Sequence, residues 1–381
     1  MDALLTYRPL WIKNQVTVRI LQISSSRTYG GGERHFIDLC RGLQRKGHEV
    51  FAALRPTNVW QDRLGFLPSS NIFHVSIRNS FGILSANRMA GFVRDNEIEI
   101  IHAHVARDYI PASIACTLSG RAKFVLTRHV LFPLKPFNRF ALKNLSKAIA
   151  VSPGVEISLR KVFRPQQIAL VANGIDVDEL ERIDRNAARA EFRTEHGIPR
   201  EALLVGIIGE LIELKGQRDF VLAANELAAR LPSARFVIVG RDNSIDQSFR
   251  RELKRLVKVF DNEDRFLWLD WVDDTRPLFA AMDLFVSASH TESFGMAILE
   301  AIASGTPVIA TETHGARELL ANPELLVPIA DPVRLAEKME EILENAEMRN
   351  AVAETSMASA RSKYSLDRMI ASIELLYQDL K

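Results

Sequence analysis

Cysteine is scarce in this chain of 381 residues, which contains only Cys40 and Cys116. Both lie in apolar stretches with helical spacing, where a free thiol is normally buried. Two such residues exclude the disulfide framework of a small secreted domain. We therefore expect reduced thiols in a cytosolic protein.

Long hydrophobic runs are also missing. The sequence has no apolar stretch of about 18 residues, so we expect no membrane-spanning helix. The N-terminal stretch MDALLTYRPLWIKNQ has Arg8 and Lys13 where a secretory signal has its apolar segment, so we expect no signal peptide. These features predict a cytoplasmic location.

Acidic residues are few in the first part of the chain. Residues 1–170 contain 24 Lys and Arg against 10 Asp and Glu, a net charge of +14, whereas the remainder has 25 against 37, a net charge of −12. So basic a half predicts an anionic partner, such as a membrane surface or a phosphorylated substrate. The alternative is a solvated, arginine-rich surface. Nucleic acid is not expected, because no recognised binding module accompanies the basic residues.

The chain alternates between short buried strands and amphipathic helices, and this alternation occurs twice. Its length predicts two domains of about 150–200 residues each. The alternation predicts an α/β fold with two doubly wound parallel sheets. The pattern restarts near VANGIDVDEL, which predicts domains at 1–170 and 171–362 and a final helix at 363–381. The charged stretch DELERIDRNAARAEFRTEHG is predicted to be one helix.

Polar residues follow several strands of the first half. Ligands of a doubly wound sheet bind outside the carboxyl ends of its strands. This rule places one set of residues on the same rim: Gly30, Gly31, Gly32, His102, His104, Arg128, His129 and Ser152.

The stretch HTESFGMAILEAIASGTPVIAT, at 290–311, poses a chemical question. Its middle is predicted to be a short apolar helix in which Glu300 is the lone carboxylate. An unpaired buried carboxylate costs on the order of several kcal/mol, so Glu300 needs a partner. Both the hydroxyls of a ribose and a basic residue of a neighbouring element would serve. Glu292 or Ser293 is the predicted N-cap, and the amides of the first turn would attract an anion.

Three further signals are weaker. The glycines of TYGGGERHF allow backbone amides to approach a pyrophosphate, although the loop is neither a dinucleotide fingerprint nor a Walker loop. Lys215 follows the first strand of the second half, where it would neutralise phosphate or simply lie on the surface. A metal site at the strand-end histidines needs a third ligand at credible spacing, and the sequence shows none, so no metal is expected.

Taken in order, these stretches resemble the retaining GT-B glycosyltransferases of family 4, the group 1 glycosyltransferases. The resemblance covers nearly the whole chain from about residue 16. The most specific stretch is SHTESFGMAILEAIASGTPVIAT. The others are YGGGERHFIDLCRGLQRKGHEV, IIHAHVA, TRH, AVSPGV, VANGIDVDEL, GELIELKGQ and FVIVG.

The resemblance implies two Rossmann-like domains facing a cleft, a nucleotide-sugar donor (UDP-, GDP- or ADP-sugar) held mainly by the second domain, and no bound cofactor or metal. It implies that Glu300 binds the donor ribose, that Lys215 contacts the diphosphate and that His129 lies near the reacting carbon. The implied donor-binding residues are Gly31, Gly32, Lys215, Glu292, Phe294, Gly295, Met296 and Glu300. The catalytic set is His129, Glu292 and Lys215, and the acceptor-side candidates are His102, His104, Arg107 and Arg128.

One position departs from the family pattern. The family usually has Gly-Arg ahead of the lysine, and here Glu210 stands in place of that arginine. A carboxylate cannot neutralise a diphosphate, so either another cation substitutes (Arg107, Arg128 and Arg317 are candidates) or donor binding is altered.

The expected function is a retaining hexosyl transfer to a saccharide or lipid-linked, anionic acceptor in lipopolysaccharide or envelope polysaccharide synthesis, with peripheral contact to an anionic membrane. The alternatives are a sugar-nucleotide 2-epimerase or disaccharide phosphorylase on the same fold, or an inactive carbohydrate-binding subunit.

Overall fold

A computed structural model describes residues 17–77 and 82–381 of the chain, and the stretch MDALLTYRPLWIKNQ lies outside them. The described residues form two parallel sheets flanked by helices, as the alternation predicts. The first sheet has the order β3-β2-β1-β4-β5-β6-β7. Its strands are β1 (Arg19–Ser24), β2 (Glu49–Leu54), β3 (Ile72–His74), β4 (Ile100–Ala103), β5 (Lys123–Arg128), β6 (Leu145–Ala150) and β7 (Ile168–Leu170).

The second sheet has the order β10-β9-β8-β11-β12-β13. Its strands are β8 (Leu203–Ile208), β9 (Ala234–Val239), β10 (Phe266–Leu269), β11 (Leu284–Ser287), β12 (Val308–Thr311) and β13 (Leu326–Val327). In both sheets neighbouring strands pair in parallel. The order reverses beside β1 and beside β8, and such a reversal opens a crevice for ligands.

Helices connect the strands. They are α1 (Gly31–Arg45), α2 (Ile83–Asp95), α3 (Tyr109–Ser119), α4 (Asn138–Ala141), α5 (Pro153–Arg160), α6 (Val177–Glu181), α7 (Arg185–Glu195), α8 (Gln217–Arg230), α9 (Ser248–Val259), α10 (Arg276–Ala281), α11 (Met296–Ala303), α12 (His314–Leu319), α13 (Pro332–Glu344), α14 (Ala346–Lys363) and α15 (Leu366–Gln378). Among the described residues, no helix combines the length and apolar character that a membrane crossing requires.

The charged stretch after VANGIDVDEL is not one helix, as predicted, but two. Asp184 interrupts it with an extended backbone, and its side chain accepts hydrogen bonds from the amides of Asn186 and Ala187. An aspartate that satisfies the free amides of a first turn favours a new start over a continuous helix. Asp176 caps α6 in the same way, because its side chain accepts a hydrogen bond from the amide of Glu179.

The final helix, α15, packs on the first domain. Its buried residues Met369, Ile370 and Tyr377 belong to the same apolar cluster as β1 and α1. A Cβ placed on Gly42 of α1 would lie 1.9 Å from Ile370 Cδ1, so the two helices are in close contact at that glycine. The chain thus returns to the first domain after completing the second.

Candidate functional site

The helix predicted within 290–311 is α11, and it begins at Met296. Its N-cap is Gly295 and not Glu292 or Ser293. Gly295 has a left-handed backbone, with φ of 96°, so the helical conformation begins only after it. No side chain caps this end. The free amides of the first turn therefore start at Met296, two residues later than predicted.

Glu300 pairs with a base from the other domain. Its Oε1 lies 2.9 Å from Nη1 of Arg34 on α1, and its Oε2 accepts a hydrogen bond of 3.0 Å from Thr275 Oγ1. Only 13% of the Glu300 side chain is exposed. The carboxylate raises the pKa of the Arg34 guanidinium above its ordinary value. Of the two partners that the sequence left open, the structure shows the basic residue, and the pair spans the two domains.

Lys215 pairs with Glu292 within the second domain. Lys215 Nζ lies 2.7 Å from Glu292 Oε2. The lysine precedes Gly216, whose φ is 68° and whose Cβ, if it had one, would lie 1.8 Å from the carbonyl oxygen of Ala288. Only glycine allows this approach, which brings the lysine turn against the loop that carries Glu292.

The glycine loop of the first domain faces these residues. A Cβ on Gly31 would lie 3.2 Å from Met296 Cγ, and one on Gly32 would lie 3.8 Å from Cγ of His129. The loop therefore closes against the start of α11 and against a predicted catalytic histidine.

Three imidazoles cluster behind the loop. Ligand atoms of His35, His104 and His129 lie within 4.8 Å of one another. The third ligand that sequence spacing did not reveal beside His104 and His129 is His35 on α1. Within the described residues neither ring nitrogen of His35 has a hydrogen-bond partner. The trio has a donor set that a divalent transition metal could use.

Burial controls the charge of this cluster. It lowers the pKa of His35 to about 4, and it holds the pKa values of His104 and His129 well below the ordinary value. All three are therefore neutral near pH 7, in the form that accepts a proton or a hydrogen bond.

His102 does not reach the cleft surface, contrary to its place among the acceptor-side candidates. It is fully buried, and its ring nitrogens lie 2.6 Å from Tyr377 Oη and 2.7 Å from Thr127 Oγ1. Both nitrogens are satisfied inside the domain, so His102 ties α15 to the first sheet.

Arg128 is also buried, and it donates to the carbonyl oxygen of Phe132. This places it as a support for the loop after β5 and not as an open acceptor contact. Arg107 is exposed, and it lines a pocket of the first domain.

Glu210, the residue that departs from the family pattern, is exposed and accepts a hydrogen bond of 2.8 Å from Asn243. Three arginines were the candidates to replace the missing cation. Arg317 Nη2 lies 2.9 Å from Glu312 Oε1, and Arg128 donates to the Phe132 carbonyl oxygen. Arg107 lines the pocket of the first domain.

Several residues of the cleft were missed by sequence reasoning. Arg34 and His35 come two and three residues after the glycines, and this position is a signal that the sequence offers. The sequence offers no such signal for Thr275. Tyr29 packs edge-on against Trp271 with ring centroids 5.5 Å apart, and Arg63 pairs with Asp273 across the same gap. These contacts depend on how two separate domains face each other.

Two family models match the chain. The model described as glycosyl transferases group 1 matches residues 188–358, and the model described as glycosyltransferase family 4 matches residues 29–179.

Proteins similar along nearly their whole length are known. The chain is 25% identical to a lipopolysaccharide core biosynthesis glycosyltransferase, LpsE, of Rhizobium meliloti (strain 1021), over 91% of this chain and 96% of that protein. It is 26% identical to N-acetyl-alpha-D-glucosaminyl L-malate synthase of Bacillus anthracis, over 90% of this chain and 92% of that protein.

A solved structure shares the fold. Anabaena Alr3699/HepE, crystallised with UDP and glucose, superposes with a TM-score of 0.84 at 21% identity, covering 95% of this chain and 99% of HepE. The two-sheet arrangement is therefore the GT-B fold.

Proposed function

The chain belongs to the group 1, family 4 glycosyltransferases, and on that premise we propose that it transfers a hexose from a nucleotide-sugar to a saccharide or lipid-linked acceptor with retention of configuration. The observation that carries this proposal is the pair of ionic contacts at the cleft, Lys215 with Glu292 and Arg34 with Glu300. Both pairs lie around the start of α11, and each presents a cation and a carboxylate that a charged, hydroxylated ligand can take over.

The donor would exchange partners with these pairs. Lys215 would turn from Glu292 to the diphosphate, and Glu292 would then accept hydroxyls of the sugar beside the backbone of residues 294–296. Glu300 would accept the ribose hydroxyls, and Gly31 and Gly32 would close on the diphosphate from the first domain. UDP-, GDP- and ADP-sugars share these groups, and HepE was crystallised with UDP and glucose.

Catalysis would come from placed charge and orientation. The departing phosphate oxygen would take the acceptor proton on the same face of the sugar, through an oxocarbenium-like state, so no protein nucleophile is needed. Lys215 would stabilise the negative charge that grows on the leaving diphosphate. His129, neutral because of its burial, would contact the sugar near the reacting carbon.

The donor assignment is tested by the Glu300→Ala variant and a panel of nucleotide-sugars. We expect the wild type to bind one of them and to hydrolyse or transfer its sugar, and Glu300→Ala to lower turnover about 10²–10³-fold. Glu341→Ala, which removes an exposed carboxylate that pairs with Lys338 on α13, is the matched control. Near-normal turnover by Glu300→Ala would remove that residue from the ribose role. Conversion of the donor to an epimer without acceptor would replace transfer by epimerisation.

The acceptor side of the proposal places the protein at the cytoplasmic face of a membrane, in lipopolysaccharide or related envelope synthesis. The loop after β5 exposes Phe132 at 63% and Phe137 at 52%, and helix α4 exposes Phe140 at 75%. The exposed cations Lys135, Arg139 and Lys143 alternate with these rings. Apolar rings beside cations suit the surface of an anionic bilayer.

Co-sedimentation with vesicles tests this contact. We expect binding to vesicles with anionic lipid that fades as salt rises, and a marked loss in the double variant Phe132→Ser with Phe140→Ser. Phe260→Ser, at a ring 47% exposed on the second domain, is the control. Equal binding to neutral vesicles would contradict the electrostatic part.

A further inference from the structure

A pocket of about 640 Å³ opens in the first domain beside the glycine loop. Three segments line it: the loop after β1, the end of β2 and the turn after β4. These are the carboxyl ends of adjacent parallel strands, where such sheets hold their ligands. The volume is within the range of small-molecule sites.

Arginines dominate the lining. Arg27, Arg55 and Arg107 each come from a different one of the three segments. Arg27 and Arg107 are exposed, whereas Arg55 is only 8% exposed and so holds its charge within the protein surface. A guanidinium group can donate two hydrogen bonds to the oxygens of one phosphate. Three such groups suit a ligand with two negative charges, such as a phosphomonoester, better than a ligand with a single carboxylate.

Two acids lie near the pocket. Asp108 lies beneath it and attracts Arg107 and Arg55, and burial raises the pKa of its carboxyl to about 6. Glu33, at the side, also has its pKa raised by burial. Neither acid is among the residues that line the pocket.

Ser25 forms part of the pocket floor and holds Asp108 beneath it. Ser25 lines the pocket, is 3% exposed, and gives its backbone N–H to Asp108 at 2.8 Å. Its side chain also interacts with the Asp108 carboxyl, and both contacts oppose the larger effect of burial on the pKa of that group.

We infer that this pocket is the acceptor subsite for a phosphomonoester, so that the acceptor is a phosphorylated saccharide. The inference rests on the proposed function, because it assigns the pocket to the acceptor of that reaction. The pocket adjoins the cleft through Thr28, close to the glycine loop, and through Val105, which follows His104. A phosphate held there would anchor the acceptor while its sugar reaches the donor.

The test is calorimetric titration of the full chain with glucose 6-phosphate, glucuronate and glucose at low salt, with the donor site filled by UDP. We expect glucose 6-phosphate to bind more tightly than glucuronate, and glucose to bind least. The double variant Arg27→Gln with Arg107→Gln should weaken glucose 6-phosphate binding about 10- to 100-fold. Arg27→Gln alone should also weaken it and should leave UDP binding unchanged. Arg121→Gln, an exposed arginine of the same domain outside the pocket, should bind as the wild type does.

Three results would overturn the inference: wild-type affinity in the double variant, an equal loss in Arg121→Gln, or tighter binding of glucuronate than of glucose 6-phosphate. Failure of the proposed function gives a different result. The wild type would then bind neither UDP nor any nucleotide-sugar, while glucose 6-phosphate would still bind more tightly than glucose.

Discussion

The two domains present opposite kinds of polar side chain to one cleft. The first contributes buried imidazoles, which are neutral near pH 7 and largely lack ionic partners. The second contributes exposed or half-buried ions, among which Lys215 and Glu292 are already paired. Neutral imidazoles and exchangeable ions suit different tasks. The imidazoles can contact a sugar without binding ions, and the ions of the second domain can exchange their present partners for those of a ligand.

The largest expected effect concerns the charged side of this comparison. Lys215→Ala should reduce transfer, or hydrolysis of the donor, about 10²–10³-fold, because the leaving diphosphate loses its nearest cation. Steady-state rates with the donor found in the binding panel would measure it. Lys338→Ala is the control. It removes a lysine that pairs with Glu341 within α13, and it should keep wild-type rates. A fall in rate of less than about threefold in Lys215→Ala would contradict the role of Lys215 at the leaving diphosphate, and with it the distinction between a charged and a neutral side of the cleft.

The second prediction compares two left-handed glycines, one in each domain. Gly216→Ala should unfold at a much lower temperature than the wild type, because its Cβ would lie 1.8 Å from the Ala288 carbonyl oxygen. Gly47→Ala has φ of 83° but meets nothing within 4 Å, so it should cost only about 1–2 kcal/mol of backbone strain. Thermal unfolding of both variants measures the difference. Equal destabilisation of the two variants would mean that the turn of Lys215 and Gly216 can move away from the Ala288 carbonyl at little cost.

The third prediction concerns the neutral side. Because burial lowers the pKa of His35 to about 4, the unfolded chain binds a proton there between about pH 6.5 and 4 that the folded chain does not. Acidification from pH 6.5 to 4 therefore favours unfolding. Above pH 6.5 His35 is neutral in both the folded and the unfolded chain, and it costs no stability there. The magnitude for one such group is on the order of 2–3 kcal/mol.

Buried acids act in the opposite direction. The pKa values of Asp38 and Asp108 are raised to about 6, so both carboxyls favour the folded state as the pH falls from 6 toward 4. The measurement is therefore the difference in unfolding free energy between His35→Leu and wild type, taken from pH 7 to pH 4.5. We expect the variant to lose less stability on acidification. His74→Gln, at an exposed histidine of the same domain, should not change the slope.

The smallest effect is expected from the contact that joins the two sides. Arg34→Gln removes the cation held by Glu300 from a mostly buried pair, whose side chains are 30% and 13% exposed. The glutamine amide can still donate a hydrogen bond to the carboxylate, so the carboxylate keeps a partner. If ribose hydroxyls replace Arg34 at Glu300, the variant should bind the donor slightly more tightly, by a factor of about 2–5. Calorimetry would detect it. Weaker donor binding would instead show that Arg34 holds Glu300 in place for the ligand.

Much of the fold could be predicted from the sequence, because its signals are local. The face formed by Phe36, Leu39, Cys40 and Leu43 on α1 is fully buried, as its spacing predicts. The helix within 290–311 was predicted at its observed position, and its cap was not. Gly295 adopts a left-handed backbone that no spacing rule reveals, and Ser293 instead accepts a hydrogen bond from the Leu131 amide of the other domain.

The composition of the site was harder to predict. Lys215, Glu292 and Glu300 were identified from their own stretches, but their partners were not. Arg34 and Thr275 lie 266 and 25 residues from Glu300, and only the docking of two domains and of α10 brings them together. The grouping of His35 is hidden for the same reason, since His35 lies on α1 and its neighbours His104 and His129 follow β4 and β5.

The chain passes between the domains twice, and the two passages are bonded to each other. The Ile175 amide donates to the Tyr364 carbonyl at 2.8 Å, and the Leu366 amide donates back to the Ile175 carbonyl at 2.8 Å. A Cβ on Gly174 would lie 2.7 Å from the Leu366 Cα, so the passages are in contact as well. A single tether would let one lobe twist freely over the other. Two hydrogen-bonded crossing segments restrict rotation of one domain relative to the other to a single hinge axis. Each ion pair across the cleft would then re-form with the same partner after any opening of the cleft.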